Sequence, residues 1–206
     1  MDIFDLRKEL LELHPGLPPT RLFEYSWAIR KMITFRADGS PIITTYHQDE
    51  TKHLDVGCNG SILDKFLMRY GFKSVCADID ERAQHYWNGE PRTNFVQVDC
   101  RHPPEEWYAN FDYITIISTL EHLQGPNDII MIKGLEKCLR THGRILITVP
   151  YGDGMNRQGQ WLVRCYNELN IYRLSDPARL LVSSWVISGP DVEATLPIFC
   201  VELRRG

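Results

Sequence analysis

The strongest constraint on the fold is a regular alternation that begins at residue 52. Five short, β-rich apolar runs follow one another along the chain: KHLDVG, KSVCAD, NFVQVD, DYITIIS and GRILITVP. Segments of helical or loop character, long enough to cross over a sheet, separate them. Such alternation is typical of a parallel sheet with helices on both faces, because parallel neighbours need long crossover connections. We therefore expect an α/β fold with a doubly wound, mostly parallel sheet.

Both ends of the chain extend this pattern. Near the C-terminus, SSWVISGP and TLPIFCVELRR predict two further strands, and the loop between them is too short for a helical crossover. The sheet would then have seven strands, with an antiparallel strand at the C-terminus. Apolar residues at helical spacing predict two N-terminal helices, over residues 3–13 and 22–32. Asp38-Gly39, between two β-branched runs, could turn a short hairpin, although helix or coil fits nearly as well.

Two of the crossover segments carry clear helical stripes. One stripe lies within residues 62–70 and is followed by Gly71, and the other lies within residues 129–139 and is followed by Gly143. A glycine after a helix commonly adopts the left-handed conformation that ends it. We therefore expect both glycines to be C-caps.

Length and hydrophobic content predict one domain over residues 1–206. Of the 206 residues, 43% are hydrophobic, which suffices for one core of ordinary size. We divide the domain into an N-terminal helical cap (1–50), a cofactor-binding core (52–152), and a substrate loop with the C-terminal strands (153–206). The sequence leaves the oligomeric state open.

Charge and cysteine usage narrow the partners. The formal net charge is -4 and the basic residues are scattered, which disfavours nucleic acid as a partner. The six cysteines form no CxxC pair and no Cys/His set at zinc spacing, so free thiols without a metal are expected. No signal-like segment follows Met1, and no apolar run approaches the roughly 18–20 residues of a membrane span. These features predict a cytoplasmic protein that does not enter the membrane.

Three acids point to a binding site at one edge of the sheet. Asp55 lies within the first strand of the alternating region, Asp78 ends the second and Asp99 ends the third, at steps of 23 and 21 residues. Ligands of doubly wound sheets bind beyond the carboxyl ends of the strands, so these side chains should converge on one crevice. The turn GCNGS, which begins at Gly57, suits a backbone that approaches a ligand closely, and Asn59 within it tolerates a left-handed conformation. A nucleotide cofactor is the natural occupant. An acid about 20 residues after the turn, here Asp78, can bind the ribose of such a cofactor.

Missing motifs indicate which cofactor this is. The dinucleotide fingerprint GxGxxG does not fit the spacing Gly57-Cys-Asn-Gly60-Ser, and no YxxxK pair is present for a short-chain reductase. The P-loop pattern GxxxxGK followed by Ser or Thr is also absent. A cofactor without phosphates therefore fits better.

LDVGCNGS resembles motif I of the class I S-adenosylmethionine-dependent methyltransferases. FDYITIISTLEHL (111–123) is similar to the fourth-strand motif of that family, and GRILITVPYG (143–152) to its fifth. The resemblance covers about half of the chain, residues 52–152, and implies a Rossmann-like fold with S-adenosyl-L-methionine as cofactor. EYSWAIRK and QWLVRCYN show a looser likeness to small methyltransferases of sugar, glycan and natural-product pathways.

Carried over to this chain, the resemblance implies roles for residues along the cofactor. Asp55 and the backbone of Gly57 would border its methionine part, and Ser118 with Thr119 would lie beside the reacting sulfonium. Asn59 belongs to the same loop but stands where glycine is usual, which leaves the shape of the turn open.

The same resemblance implies the contacts of the nucleoside part. Asp78 would hold the ribose diol, and Asp99 would accept a hydrogen bond from the adenine amino group. The backbone of Cys100 would lie near the edge of the ring. Tyr25 and Trp27 could close over the cofactor from the N-terminal helix, although residues of an apolar stripe more often belong to a core.

Acceptor residues are sought after the fourth and fifth strands. His122 is the first candidate for a general base, because an imidazole titrates near neutrality; an architectural role is the alternative. The polar, aromatic segment 150–167 is typical of a substrate loop. Its aromatic residues could line an acceptor pocket, and its arginines could pair with an anionic group, with packing and a solvated surface as the respective alternatives. The aromatic candidates are Tyr151, Trp161 and Tyr166, and the arginines are Arg157 and Arg164.

The function predicted from these features is methyl transfer from S-adenosylmethionine to oxygen or nitrogen of a small metabolite, sugar or glycan precursor. No Asn/Asp-Pro-Pro-Tyr/Phe segment and no Pro-Cys nucleophile is present, which disfavours methylation of nucleobases. An NAD-dependent reductase and a non-catalytic S-adenosylmethionine-binding protein are the alternatives.

Overall fold

A mixed α/β architecture is built around one large sheet. The computed structural model describes residues 3–36, 40–43, 50–86, 89–158, 161–175, 180–187 and 197–205, without the side chains of residues 3–5, 157, 158, 161 and 185. The helices are α1 (Ile3–Leu13), α2 (Pro19–Met32), α3 (Leu63–Arg69), α4 (Asn127–Cys138) and α5 (Glu168–Leu174). The strands are β1 (Ile33–Phe35), β2 (Pro41–Ile43), β3 (Lys52–Val56), β4 (Lys73–Asp78), β5 (Phe95–Gln97), β6 (Phe111–Ile117), β7 (Leu139–Pro150), β8 (Met155–Gln158), β9 (Trp161–Arg164), β10 (Leu180–Ile187) and β11 (Ile198–Arg205).

Within the described residues, seven strands form the central sheet in the order β10-β11-β7-β6-β3-β4-β5. The pairs β4–β5, β3–β4, β3–β6 and β6–β7 are parallel. β11 is antiparallel to both of its neighbours, β7 and β10. The predicted doubly wound sheet with an antiparallel C-terminal strand is thus confirmed. The strand order reverses at β3 and β6, and in such sheets a crevice opens at that point.

Helices cover both faces of the sheet, which explains why its central strands are buried on both sides. All seven residues of β6 are buried. Ile114 and Ile116 pack in the cluster that contains Leu135 of α4, whereas Tyr113 packs with Phe66 of α3 on the other side. Strands buried on both faces lose the polar alternation of a half-exposed strand, as the run DYITIIS indicates.

The N-terminal predictions agree with the structure. α1 and α2 cover the predicted helical stripes, with Pro19 in the first turn of α2. β1 and β2 form the short antiparallel pair, with Ile33 opposite Ile43. The predicted turn residues Asp38-Gly39 lie outside the described residues.

The two glycine caps have different outcomes. Gly71 follows α3 with φ +85°, and its N–H donates to the carbonyl of Met68, so this cap is confirmed. The cap at Gly143 is wrong, because α4 ends at Cys138 and Leu139 already begins β7. Leu139 is fully buried and pairs with β6. The apolar stripe extends past the end of α4 because its last residue, Leu139, packs as part of the sheet.

The segment predicted as a substrate loop contains a β-hairpin. β8 and β9 pair antiparallel, with Met155 opposite Arg164. None of the described helices is both long and apolar enough to cross a membrane. All six cysteines are described, and they are buried free thiols.

Candidate active site

A cavity of about 940 Å³ opens beyond the carboxyl ends of β3, β4 and β6, where the strand order reverses. Its volume lies in the range of small-molecule and cofactor sites. All residues predicted to bind the cofactor line it: Asp55, Gly57, Asn59, Asp78, Asp99, Cys100 and Ser118. Thr119, His122 and Tyr25 also line the cavity. Residues far apart in the sequence thus converge on one crevice, as the spacing of the acids predicted.

The turn after β3 approaches the end of β6 closely. Gly57 has φ +68°, and a Cβ atom at this position would overlap with the side chain of Thr119. Glycine is therefore required here for both its conformation and its size. Asn59 has φ +37°, so the left-handed backbone expected at this position is confirmed.

A buried arginine, Arg92, stabilises this turn through hydrogen bonds to its carbonyl groups. The sequence did not predict this contact. Nη2 of Arg92 donates to the carbonyl oxygens of Asn59, at 2.8 Å, and of Ser61. The guanidinium lies 3.5 Å from Oδ1 of Asp64 and 4.4 Å from the centre of the Tyr86 ring. Its planar fork can bind two carbonyl groups and an acid at once. Because 33 residues separate Arg92 from Asn59, no local pattern marks this contact.

Asp78 links the turn to the end of β4. Its Oδ2 accepts a hydrogen bond from the backbone N–H of Asn59 at 2.9 Å, and its Oδ1 accepts one from Asp80 at 3.0 Å. A carboxylate has about four acceptor positions. Asp78 can therefore accept two further hydrogen bonds, as a ribose diol would require.

Asp99 and Cys100 follow β5 at the far end of the cavity. The guanidinium of Arg101 donates to Asp99 at 2.6 Å, and its backbone N–H donates at 3.0 Å. Nε of Arg101 also lies 2.9 Å from Oδ1 and 3.0 Å from Oδ2. These contacts hold the pKa of Asp99 below its usual value, so this carboxylate is ionised and paired with Arg101. Cys100 is buried, and burial raises the pKa of its thiol.

Asp55 is the most deeply buried acid that lines the cavity. Its Oδ1 accepts a hydrogen bond from Oγ1 of Thr115 at 2.7 Å. Its Oδ2 is buried without a hydrogen-bond partner among the described residues. Burial raises the pKa of Asp55 to about 6. An oxygen of this kind is stabilised by a ligand that brings a hydrogen-bond donor or a positive charge.

Helix α2 contributes a buried acid, Glu24, that accepts hydrogen bonds from two residues lining the cavity, Ser118 and Arg21. Oε1 of Glu24 accepts hydrogen bonds from Oγ of Ser118 at 2.6 Å and from Oγ1 of Thr148 at 2.7 Å. Its Oε2 accepts one from Arg21 at 2.6 Å. Ser118 has φ +46°, and both it and Arg21 line the cavity. Glu24 lies in the EYSWAIRK segment, which the resemblance marked only loosely, and Arg21 lies before it.

Glu121 and His122 follow β6, and only His122 is exposed. Glu121 is buried, its Oε2 has no partner among the described residues, and burial raises its pKa to about 8. His122 lines the cavity. Partial burial and then the charge of Arg21 lower the pKa of His122 below its usual value. Its imidazole is therefore neutral at pH 7 and able to accept a proton.

The two tyrosines predicted to bind the acceptor do not line this cavity. The hydroxyl of Tyr166, which is buried, donates to the carbonyl of Leu120 at 3.2 Å and to Asp128 at 3.0 Å. Tyr151 donates to Glu168 at 3.2 Å. Both rings thus make contacts within the fold, of the kind that the packing alternative predicted.

The predicted arginines and the remaining aromatic residue have separate outcomes. Arg164 forms an ion pair with Asp128 at 2.7 Å and lines a second cavity, of about 490 Å³, between α4, α5 and the β8–β9 hairpin. The side chains of Arg157 and Trp161 lie outside the described residues. Within the described part of the chain, no group of three or more His, Cys, Asp or Glu side chains could hold a metal ion.

Comparison with known proteins gives a family match over most of the chain. Residues 26–181 match the model of a family described as "Methyltransferase domain". Two curated relatives are similar, both called ubiquinone biosynthesis O-methyltransferase. The protein from Pseudoalteromonas translucida is 30% identical over 82 residues, which are 37% of this chain and 35% of the relative. The protein from Leptothrix cholodnii is 27% identical over 88 residues, 40% of this chain and 37% of the relative. The matched part spans little more than a third of these relatives.

A solved structure supports the fold. It is the 1,6-didemethyltoxoflavin-N1-methyltransferase of Burkholderia thailandensis, with bound 1,6-didemethyltoxoflavin and S-adenosylhomocysteine. The similarity has a TM-score of 0.61 at 20% sequence identity and covers 76% of this chain and 71% of the other. At this identity, the comparison concerns the fold alone.

Proposed function

The chain belongs to the class I S-adenosylmethionine-dependent methyltransferases, and on that premise we propose that it methylates an oxygen or nitrogen atom of a small acceptor molecule. The observation that carries the proposal is the convergence of Asp55, Asp78 and Asp99 around the Gly57–Asn59 turn in one cavity. Three acids, together with a turn whose backbone can come close to a ligand, suit a nucleoside that carries an amino acid. Such a ligand has no phosphate groups and therefore does not require a cluster of basic residues.

The residues present fit S-adenosylmethionine. The oxygen of Asp55 that lacks a partner provides an acceptor for the ammonium group of its methionine part. Asp78 keeps acceptor capacity for the two ribose hydroxyl groups. Asp99 lines the same cavity and is our candidate for the adenine amino group, which would compete with Arg101 for its oxygens. Arg21 pairs with Glu24 and also lines the cavity, so its remaining N–H groups are our candidates for the carboxylate of the cofactor. When bound, S-adenosylmethionine supplies an electrophilic methyl group on a positively charged sulfur.

The protein contributes mainly by position. Ser118 and Thr119, at the end of β6, form the wall beside which the acceptor atom must lie. Holding two reactants in line at near-contact distance can contribute several kcal/mol, roughly 7–11 in the best cases. Neutral His122 takes the proton that a hydroxyl acceptor loses as it attacks, or that a methylated amine releases afterwards.

The chemistry of the acceptor is supported by the relatives. Proteins of the family that resemble this chain are named as O-methyltransferases of ubiquinone biosynthesis and as an N1-methyltransferase. A small metabolite, a sugar or a glycan precursor remains our proposal for the acceptor. We place Tyr151, Arg164 and Tyr166 outside the primary contacts with it, because they do not line the cavity. Arg157 and Trp161 stay predicted acceptor contacts. Closer candidates are Arg21, Tyr25 and His122, because they line the cavity.

We also propose that the protein works in the cytoplasm. Its six cysteines are free thiols, the form that a reducing compartment maintains.

Incubation with S-adenosylmethionine labelled in its methyl group tests the function. A panel of small phenols, sugars and amines would be screened by mass spectrometry for products that carry the label. We expect label transfer to at least one class, with S-adenosylhomocysteine formed in equal amount. Cofactor binding without transfer to any member of a broad panel would instead favour a non-catalytic binding protein.

A further inference from the structure

Three polar side chains lie side by side in the middle of the sheet, where apolar residues are expected. Ser74 of β4, His53 of β3 and Thr115 of β6 are buried, with His53 and Thr115 at 0% exposure. His53 pairs with Ser74 across the strands, and Asp55 pairs with Thr115. Buried polar groups of this kind are retained at a cost in free energy unless each is hydrogen-bonded.

The hydrogen bonds of this row run in one direction, towards Asp55. Oγ1 of Thr115 donates to Oδ1 of Asp55 at 2.7 Å. A hydroxyl has one proton, so the oxygen of Thr115 must be the acceptor in its 2.9 Å contact with Nε2 of His53. Burial lowers the pKa of His53 to about 3, and a neutral imidazole with its proton on Nε2 accepts at Nδ1. The 3.0 Å contact of Nδ1 is with Oγ of Ser74, which donates.

We propose that His53 and Thr115 are positioning residues that keep Asp55 ionised, with its Oδ2 presented to the ammonium group of the cofactor. This inference rests on the proposed function. The ring of His53 fixes which way the Thr115 hydroxyl points. The hydroxyl then occupies Oδ1, and Oδ2 is the oxygen left for the ligand. A hydrogen bond donated to a carboxylate favours its charged form.

Several other groups face Asp55 and set the background against which Thr115 acts. The charge of Asp64 on α3 raises the pKa of Asp55, whereas the charge of Arg92 and the proximity of the Ser61 hydroxyl lower it. The Ser61 hydroxyl is near Asp55 but makes no hydrogen bond to Oδ2. Tyr25 of α2 and Cys76 of β4 are also electrostatic neighbours. None of these groups is changed when Thr115 is replaced, so a shift in the titration of Asp55 would report on the row itself.

The test measures how cofactor affinity depends on pH. S-adenosylhomocysteine keeps the ammonium group but lacks the sulfonium charge, and its dissociation constant would be measured by calorimetry between pH 5 and 8. We expect binding to the natural chain to be about tenfold weaker at pH 5 than well above pH 6, because about nine-tenths of a carboxyl with a pKa near 6 is then protonated. In Thr115→Val the same weakening should begin about one pH unit higher. Methylthioadenosine, which lacks the amino acid part, should bind with no such dependence.

Thr148→Val is the matched control. Thr148 is also a buried threonine of the central sheet that donates to a carboxylate, but its partner is Glu24. Its pH midpoint for binding should equal that of the natural chain. If Thr115→Val weakens binding equally at every pH, the row has only a structural role and the inference is wrong.

A second measurement applies to the ligand-free protein. Nitrogen NMR of the His53 imidazole should show a neutral ring with its proton on Nε2 throughout pH 5–8. A charged ring, or a proton on Nδ1, would overturn the inference even if Thr115→Val fails to fold. Absence of any S-adenosylhomocysteine binding to the natural chain would refute the proposed function instead, and the NMR result would still decide the orientation of the row.

Discussion

Asp78 shapes the turn after β3 with the same carboxylate that we propose for the ribose of the cofactor. Its two oxygens already accept the N–H groups of Asn59 and Asp80, so it shapes the cavity even without a ligand. A test of the proposed ribose contact therefore needs substitutions that distinguish the effect on the turn from the effect on ribose binding. Asp78→Asn keeps one carbonyl oxygen for the turn, whereas Asp78→Ala removes both acceptors.

We expect Asp78→Ala to weaken S-adenosylmethionine binding by roughly 10- to 100-fold, because a hydrogen bond to a charged group is worth about 1.5–3 kcal/mol. Asp78→Asn should have a smaller effect. Calorimetric titration measures both, and unchanged affinity in the alanine variant would reject the ribose assignment.

His122 should affect the reaction and leave binding nearly intact. We expect His122→Ala to lower turnover strongly, in the range of about 10²–10⁴-fold seen for acid–base groups, with cofactor affinity close to that of the natural chain. Because the pKa of His122 is lowered, its base form predominates at pH 7. Turnover of the natural chain should therefore fall only as the pH drops below the ordinary histidine value of about 6.5. Undiminished turnover in the variant would assign His122 to the architecture.

At the scale of elements, two glycines with similar backbone angles offer a direct comparison. Gly57 and Gly71 have φ +68° and +85°. A Cβ at Gly71 would meet no atom within 4 Å, whereas one at Gly57 would overlap with Thr119. We expect Gly71→Ala to cost only the strain of a left-handed alanine, about 1–2 kcal/mol. Gly57→Ala should cost more and also weaken cofactor binding.

Urea unfolding and calorimetric titration of the two variants distinguish these effects. Equal losses of stability, with cofactor affinity retained in both, would show that the turn after β3 does not require close contact with β6.

Patterns of local sequence account for most of the elements and for the three acids that line the cavity. The alternating runs of β3 to β7 and the acids after them could be predicted, because strand and turn preferences act over a few residues. Arg92 could not, since its contacts with the turn depend on how distant segments pack. The same limit explains the error at Gly143 and the packing of Tyr166 against Asp128. Periodicity marks Leu139 as apolar, but the sheet decides that it belongs to a strand.

At the scale of the whole molecule, buried acids make stability depend on pH. Burial raises the pKa of Glu121 to about 8 in the folded chain, from an ordinary value of 4.5. Between these values the folded state binds more protons than the unfolded state, so stability falls as the pH rises, by at most about 1.4 kcal/mol per pH unit for one group. Ionisation of Glu121 thus destabilises the folded chain, and this effect reaches its full size above about pH 8.

Glu121→Gln should remove this dependence. We expect the variant to gain stability relative to the natural chain as the pH rises from 5 to 8, measured by urea unfolding at several pH values. The difference between the two proteins is the relevant quantity, because other titrating groups are common to both. A difference that stays constant over this range would contradict the raised pKa of Glu121.

We propose above all that the cavity beyond β3, β4 and β6 binds S-adenosylmethionine through the three convergent acids. Calorimetric titration of the natural chain with S-adenosylmethionine and with S-adenosylhomocysteine tests it most directly. We expect saturable binding of both ligands at a single site, strongly weakened in Asp78→Ala. No heat from either ligand at millimolar concentration would contradict it.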